Sequence, residues 1–185
     1  MSLQVLAGIL GFCAYVPLIV GILRNTAQQS FAAFFLWALL DAIATVTTFL
    51  QGGNYWLPFS NVVGSSTLAL VLVVKRQVAW SWIENMTALL VLICLGVWYT
   101  VGEQLGIVAS SLAVVMASIP QMAETYRAPQ STPVVPYFIF LGANILSFIA
   151  GRAWTIEERF YAGCSILLCV AIILLALRRP SVMHK

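Results

Sequence analysis

Long apolar runs separated by short polar segments account for almost the whole chain. Seven runs cover the ranges Leu3–Leu23, Phe31–Leu50, Leu57–Val74, Trp82–Val101, Leu105–Met122, Val134–Ala153 and Phe160–Leu177. Their length, and the absence of the two-residue alternation of a half-buried strand, predict helices. Each run is long enough to cross a hydrocarbon core of about 30 Å at about 1.5 Å per residue. The pattern therefore predicts an all-α membrane protein with seven transmembrane helices.

The composition and the placement of charge agree with this class. The chain is 62% hydrophobic and 8% charged, whereas soluble domains carry about 25% charged residues. The basic residues lie singly or in pairs between the runs, as topology signals do, and form no nucleic-acid-binding stripe.

The distribution of basic residues also predicts an orientation. With the N-terminus outside, the cytoplasmic side carries Arg24, Lys75, Arg76, Arg127, Arg178, Arg179 and Lys185, and the external side carries only Arg152 and Arg159. By the positive-inside rule this bias predicts an external N-terminus and a cytoplasmic C-terminus. The compact loops favour a bacterial inner membrane, with an organelle membrane as the alternative.

The residues that usually carry catalysis or bind metals are not grouped in this sequence. Each of the four cysteines lies inside an apolar run, and only Cys164 and Cys169 share a run; the others are Cys13 and Cys94. The single histidine is His184, close to the C-terminal end. The sequence therefore predicts no disulfide framework, no metal, no cofactor and no enzymatic activity.

A weak internal repeat relates the first three runs to the last three. The shift that places Pro17 on Pro120 also aligns Arg24 with Arg127, Asp41 with Asn144, and Lys75-Arg76 with Arg178-Arg179. Three helices that begin outside end inside, so a second triplet with the same orientation needs one additional crossing. The repeat therefore predicts a 3+1+3 arrangement. Two parallel three-helix bundles, residues 1–78 and 104–185, are joined by a linker helix within residues 79–103.

The segment "SIPQMAETYRAPQSTPVVPYF", from Ser118 to Phe138, resembles the PQ-loop signature: a Pro-Gln pair, a short basic loop and a second helix. The first half carries a degenerate copy, "YVPLIVGILRNTAQQSFAAFF", which keeps Pro17 and has Leu18 where glutamine is expected. The chain therefore resembles the PQ-loop and SWEET-type transporters, a group that includes cystinosin-like carriers. This resemblance implies parallel repeats about an axis along the membrane normal.

The two repeat-matched prolines are candidates for gating hinges. Proline inside a helix removes one backbone hydrogen bond and clashes with the carbonyl four residues earlier, so Pro17 and Pro120 are predicted to bend their helices. The family resemblance implies that these bends are hinges of a cytoplasmic gate and that Gln121 holds one closed state. A static kink is the alternative.

Asp41 is the only acidic residue near the middle of a predicted span. A charged aspartate at the bilayer centre costs roughly 2.5–3.5 kcal/mol on insertion scales, and no lysine or arginine lies deep in a span to pair with it. Either the carboxyl is neutral, or it faces water and a cationic ligand. Both states suit a proton-coupled or cation-binding carrier. The alternative is a protonated aspartate that holds two helices together.

Helical spacing places three further side chains on the same face as Asp41. Trp37, Asp41, Thr45 and Thr48 recur at intervals of three or four residues, so they share one side of the second span. An aromatic ring, a carboxylate and two hydroxyls suit an ammonium group or a polyol. For Trp37 alone, packing or contact with lipid is the alternative.

The repeat-matched face of the sixth predicted span completes a candidate pocket near the bilayer midplane. It carries Phe140, Asn144 and Ser147. Asn61 of the third span is a candidate for the outer wall of the pocket, although small polar residues in membrane helices also serve close packing. We therefore expect the substrate to bind between the two repeats.

These observations predict a secondary transporter that moves a small polar solute, such as an amino acid, an amine or a sugar, by alternating access. Proton coupling through Asp41, as in a symporter, is expected. The predicted partners are the solute, protons and the lipid bilayer, with no nucleic acid and with a homo-oligomer left open. One alternative is a facilitative sugar carrier in which Asp41 only bonds hydroxyls. The second alternative is a seven-helix receptor or sensor, which the short loops disfavour.

Overall fold

A computed structural model describes residues 2–78 and 82–178. The helices are α1 (Leu3–Leu23), α2 (Phe31–Leu50), α3 (Trp56–Val74), α4 (Trp82–Val101), α5 (Glu103–Ala117), α6 (Ile119–Arg127), α7 (Val134–Ile149) and α8 (Ile156–Leu177), with a 3-10 turn at Pro129–Ser131. No strand occurs in these two ranges, which confirms the all-α class. Arg179, His184, Lys185 and the side chain of Cys94 lie outside the described part.

In the described part of the chain, five helical stretches are long and apolar enough to cross a membrane: α1, α2, α3, the stretch Glu103–Arg127 that contains α5 and α6, and α8. The 16-residue α7 and the Val91–Val101 part of α4 are apolar but shorter. Several long apolar helices are compatible with an integral multi-pass membrane protein. The count of seven spans stays a prediction.

The outside of the helix bundle is apolar while several polar side chains are buried. The most exposed large apolar side chains include Leu70, Val74, Leu92, Val135, Leu167 and Leu174. Asp41, Asn61 and Asn144, in contrast, are only 2%, 8% and 2% exposed. A broad apolar surface around buried polar groups is typical of a protein whose surroundings are lipid.

The first two helices begin at serine caps. The Ser2 hydroxyl accepts a hydrogen bond from the Val5 amide, and the Ser30 hydroxyl accepts one from the Ala33 amide. Each cap satisfies one of the amides that a helix leaves unpaired in its first turn. These caps explain why the beginnings of α1 and α2 agree with the ends of the apolar runs.

The fifth predicted helix extends further than Leu105–Met122 and is interrupted. It begins at Glu103, breaks at Ser118 between α5 and α6, and continues to Arg127. Pro120 explains the break, because it has no amide hydrogen and its ring clashes with the carbonyl of Met116. Pro17, by comparison, lies within α1, which runs as one helix from Leu3 to Leu23.

The predicted sixth and seventh helices have different boundaries in the structure. α7 ends at Ile149 rather than at Ala153, and α8 begins at Ile156 rather than at Phe160. The Arg159 guanidinium donates hydrogen bonds to the carbonyls of Phe148, Gly151 and Ala153, which caps the C-terminal end of α7. Hydropathy places this charged segment in a loop, whereas it forms the first turn of α8.

Two groups of three helices pack in the same order. α3 packs against both α1 and α2, and α8 packs against both α5 and α7. Between the groups, α1 packs against α7 and α2 packs against α5. α4 packs mainly against α5. The centre of the molecule therefore lies between α1, α2, α5 and α7, with α3 and α8 behind them.

Gly64 permits the close approach of α3 to α1. A Cβ at this position would overlap the ring of Tyr15, which is buried and fixed by a 2.9 Å hydrogen bond to the Ser65 hydroxyl. We expect Gly64→Ala to lower the free energy of unfolding by about 1–3 kcal/mol, the usual cost of overpacking. Gly96 of α4 has open space around its Cβ direction. Gly96→Ala is therefore expected to raise stability by up to about 1 kcal/mol through helix propensity.

Unfolding of the two variants in mixed detergent micelles, followed by tryptophan fluorescence, measures this difference. Equal losses in both variants would show that the backbone, rather than the contact with Tyr15, sets the effect.

Candidate functional site

A cavity lies between α1, α2, α3, α5, α7 and α8. Its empty space is about 430 Å³, of which the centres of water molecules could occupy about 50 Å³. That volume is enough for a few waters or for the head of a small solute. Five of the residues predicted from the sequence line it: Trp37, Asp41, Asn61, Phe140 and Asn144.

Asp41 contributes the only carboxyl group among the described residues that line the cavity. Its Oδ1 accepts a hydrogen bond of 2.6 Å from the Tyr161 hydroxyl, which reaches it from α8. Oδ2 has no hydrogen-bond partner among the side chains that the structure describes, and no described cation lies within salt-bridge distance of the carboxyl. The carboxyl is therefore buried, held from one side and open to the cavity on the other.

Tyr161 is part of a chain of hydrogen bonds that joins four helices. Its hydroxyl accepts a bond of 2.8 Å from Asn61 Nδ2 on α3. The Tyr15 hydroxyl on α1 lies 3.4 Å from Asn61 Oδ1 and 2.9 Å from the Ser65 hydroxyl. Asp41 on α2 ends the chain. The network fixes the orientation of the carboxyl relative to α1, α3 and α8.

Asn144 lines the cavity from α7 and leaves one polar atom unpaired. Its Nδ2 donates to the Phe140 carbonyl at 2.8 Å and lies 3.8 Å from Cys169 Sγ. Its Oδ1 is buried and has no hydrogen-bond partner among the described residues. Such an atom is costly unless water or a ligand supplies a donor.

Aromatic rings form much of the remaining wall. Tyr15 and Phe140 meet edge to face with ring centroids 4.7 Å apart. The Trp37 indole nitrogen donates to the Val114 carbonyl at 3.2 Å and to the Ser118 hydroxyl at 3.1 Å. These bonds hold the Trp37 ring in place between α2 and α5, so its face is a fixed part of the cavity.

Three predicted residues do not line the cavity. The Thr45 hydroxyl donates to the Asp41 backbone carbonyl at 2.6 Å, within its own helix. Ser147 Oγ accepts a bond of 3.0 Å from Asn54 Nδ2. Thr48 is buried, and its hydroxyl has no partner in the described part of the chain. All three lie on the predicted helix faces but beyond the cavity along the helix axis.

Sequence reasoning missed five side chains that can form polar contacts in the lining: Tyr15, Tyr137, Tyr161, Ser165 and Cys169. Tyr161, Ser165, Leu168 and Ile172 share one face of α8 by helical spacing. This signal was available, but the predicted start at Phe160 placed Tyr161 at the very end of a helix.

One end of the bundle is joined by buried glutamines. Gln121 is fully buried; its Oε1 accepts from the Ser30 amide at 3.0 Å, and its Nε2 donates to the Thr125 hydroxyl at 3.3 Å. The Tyr137 hydroxyl donates to Gln29 Oε1 at 2.9 Å. We name this group the Gln121 end. It ties the segment before α2 to α6 and α7.

The opposite end of the bundle is joined by a buried carboxylate. Glu158 at the start of α8 forms a salt bridge of 2.7 Å with Arg152 and accepts a bond of 3.1 Å from Gln4 of α1. Arg152 also donates to the Gly52 carbonyl. We name this group the Glu158 end. The cavity reaches from one end toward the other: Tyr137, which lines it, also belongs to the Gln121 end, and Tyr161, which lines it as well, is in the turn of α8 that follows Glu158.

The chemistry of the cavity is that of binding. It offers one carboxyl, two carboxamides, hydroxyls and aromatic faces. Within the described ranges, no three His, Cys, Asp or Glu side chains are close enough to hold a metal ion. The geometry is suited to holding a proton or a small ligand on Asp41.

Comparison with protein-family models, with curated proteins and with solved structures finds no match for this chain. The resemblance to PQ-loop and SWEET-type transporters therefore depends only on the residues from which it was drawn. The functional argument starts from the cavity.

Proposed function

We propose that the chain is a secondary transporter that moves a small polar solute through the central cavity by alternating access, with a proton on Asp41 coupled to the movement. One observation carries the proposal. The residue Asp41, which is 2% exposed, lies in a cavity halfway along an apolar helix; its carboxyl group is hydrogen-bonded to Tyr161 and has no cationic partner among the described residues. An intramembrane acid costs roughly 2.5–3.5 kcal/mol, which favours a functional role.

The packing of the helices supports a 3+1+3 arrangement with two parallel repeats. Exchanging α1, α2 and α3 with the α5–α6 stretch, α7 and α8 leaves the pattern of helix contacts unchanged, because α1–α7 becomes α5–α2. A twofold axis along the bundle has this property. α4 packs beside α5 and is suited to the role of the linker.

The contacts at the two ends of the bundle support alternating access. Opening the Gln121 end would require the hydrogen bond from the Ser30 amide to Gln121 Oε1 to break, while the Glu158 end stayed closed. The break at Ser118 places a weak point of the helix beside this contact. In this proposal Pro120 and Gln121 act as hinge and latch of one gate, and Pro17 is the hinge of the matching helix.

The proposed orientation places the Gln121 end in the cytoplasm. Arg24, Arg127 and Arg178 lie at this end of the described bundle, each directly after or at the end of a helix. The positive-inside rule then gives an external N-terminus, in a cell membrane.

The proposal is tested by solute flux into proteoliposomes that contain the purified full chain. We expect uptake of one solute from a set of amino acids, amines and sugars, faster in the presence of a pH gradient than in its absence. Asp41→Asn is expected to remove this dependence on the gradient, because the amide cannot hold the coupled proton. If the rate of uptake were independent of the pH gradient in both the wild-type protein and the Asp41→Asn variant, a facilitative carrier would be favoured instead.

The matched control is Thr67→Val, which removes a hydroxyl that faces away from the core and bonds only to its own helix. Protein-free liposomes set the background. If folded wild-type protein moved none of the solutes above that background, the transporter proposal would be wrong.

A further inference from the structure

Two polar atoms in the cavity that lack a partner among the described residues can act only as hydrogen-bond acceptors while the Asp41 carboxyl is ionised. Asn144 Oδ1 is buried without a partner, and only Oδ1 of the Asp41 carboxyl has a partner among the described residues. The corresponding donors are already used. Asn144 Nδ2 is bonded to the Phe140 carbonyl, and the Tyr161 hydroxyl is bonded to Asp41. A ligand that satisfies these two acceptors must therefore bring donors.

The charge in the cavity is negative or neutral. No lysine, arginine or histidine is among the lining residues in the described part of the chain. A ligand carboxylate would therefore meet Asp41 and no cation, at a large cost in a low-dielectric site. A polyol would bring as many acceptors as donors, with little to pair them. Both arguments disfavour amino acids and sugars and favour a cation.

The walls suit a cation as well. The rings of Trp37, Phe140 and Tyr15 line the same cavity as Asp41, and Trp37 is held rigidly by Val114 and Ser118. Aromatic faces attract ammonium and guanidinium groups, more strongly where both are desolvated. The limited space restricts the bound group to a few heavy atoms.

We propose that the ligand is a small monovalent organic cation with N–H donors and no carboxylate, held between Asp41 and Asn144, and that it exchanges one for one with a proton. This inference rests on the proposed function, whose solute it specifies. Such a ligand is an ammonium or a guanidinium group on a short body. Its N–H groups pair with the free acceptors, and its charge neutralises the carboxylate.

Exchange follows from the presence of one acid. Among the residues that the structure describes, the titratable side chains that line the cavity around Asp41 are Tyr15 from α1, Tyr137 from α7, and Tyr161 and Cys169 from α8. In the same described set, α2 adds no titratable group besides Asp41, α3 and α5 contribute only Asn61 and Val114, and α4 and α6 contribute no lining residue. One carboxylate is neutralised by a proton or by a cation, but not by both. Each cation that binds therefore releases one proton. A symporter would need a second acid to carry the proton together with the cation.

The test uses proteoliposomes with an acidic lumen and methylguanidinium as the probe, because it stays charged and carries N–H donors. We expect that each cation taken up removes one proton from the lumen, so that the lumenal pH rises during uptake. The rate of uptake is not expected to respond to an imposed membrane potential. Two controls have similar size. Tetramethylammonium keeps the charge and lacks donors, and N-methylurea keeps donors and lacks the charge. Both are expected to enter at the background rate.

Variants then assign the site. Asp41→Asn should reduce methylguanidinium uptake at least about tenfold, the effect of losing a hydrogen bond to a charged group. Asn144→Leu should reduce it several-fold, and Thr67→Val should leave it unchanged. Circular dichroism and thermal unfolding check that each variant is folded.

The outcomes separate this inference from the proposed function. Preferred uptake of N-methylurea, alanine or glycerol would overturn the cation proposal and leave a transporter. Entry of methylguanidinium together with protons would overturn the exchange. No uptake of any probe by folded wild-type protein would count against both.

Discussion

Replacing Tyr161 by phenylalanine is expected to lower the free energy of unfolding by about 2 kcal/mol, although it removes a single oxygen atom. That hydroxyl donates to Asp41 Oδ1 at 2.6 Å and accepts from Asn61 Nδ2 at 2.8 Å. Asp41, Asn61 and Tyr161 are all buried. The variant therefore leaves a donor and an acceptor without partners in an environment that cannot replace them well.

A single hydrogen bond between membrane helices contributes on average only about 0.6 kcal/mol to stability, as measured by double-mutant cycles. Two bonds are lost at once, one of them to a carboxyl group, so the effect exceeds that average. Tyr99→Phe makes the same chemical change at a side chain that is 92% exposed and should change stability by less than about 0.5 kcal/mol. Detergent titration of both variants measures the difference. Equal stabilities would mean that water in the cavity takes over both contacts of Tyr161.

The apolar runs predicted most of the helical framework because local sequence decides where these helices begin and end. The observed α1, α2 and α4 have the predicted bounds, and α3 begins one residue earlier, at Trp56. Each lies between polar segments, and Ser2 and Ser30 provide caps at the predicted places. No distant residue is needed to explain these boundaries.

The boundaries of α7 and α8 depend on contacts with distant residues, and a hydropathy pattern does not predict such contacts. Glu158 is buried in the first turn of α8 because Arg152 and Gln4 pair with it. Arg159 lies in the same turn and caps α7. A hydropathy criterion excludes such charges from a helix. The same error left out Tyr161, whose 2.6 Å contact with Asp41 is the shortest hydrogen bond between the described lining residues.

Helical spacing identified the correct faces of α2 and α7 but not the depth of the cavity. Trp37, Asp41 and Asn144 line it, whereas Thr48 and Ser147 lie further along the same faces. Spacing gives the direction of a side chain, while the position of a cavity along the axis depends on how the other helices pack. A threonine can also bond its own backbone, as Thr45 does.

Glu158→Gln is expected to lower the free energy of unfolding by about 2–3 kcal/mol. The carboxylate accepts four hydrogen bonds: from Arg152 Nε at 2.9 Å, Arg152 Nη2 at 2.7 Å, the Arg152 amide at 3.1 Å and Gln4 Nε2 at 3.1 Å. Every partner is a donor. A glutamine amide would place its own NH2 group against two of these donors, so the loss goes beyond the removal of charge.

The matched control is the neighbouring residue in the same turn. Glu157 contributes its backbone carbonyl, which accepts from the Asn54 amide at 3.2 Å, and its side chain has no hydrogen bond in the described structure. Glu157→Gln should therefore change stability by less than about 0.5 kcal/mol. The side chain of Arg152 is 65% exposed, so water partly screens the salt bridge and the expected loss stays below the value for a fully buried ion pair. Equal effects of the two substitutions would show that the charge of the helix N-terminus, rather than the contacts with Arg152 and Gln4, holds this end of the bundle together.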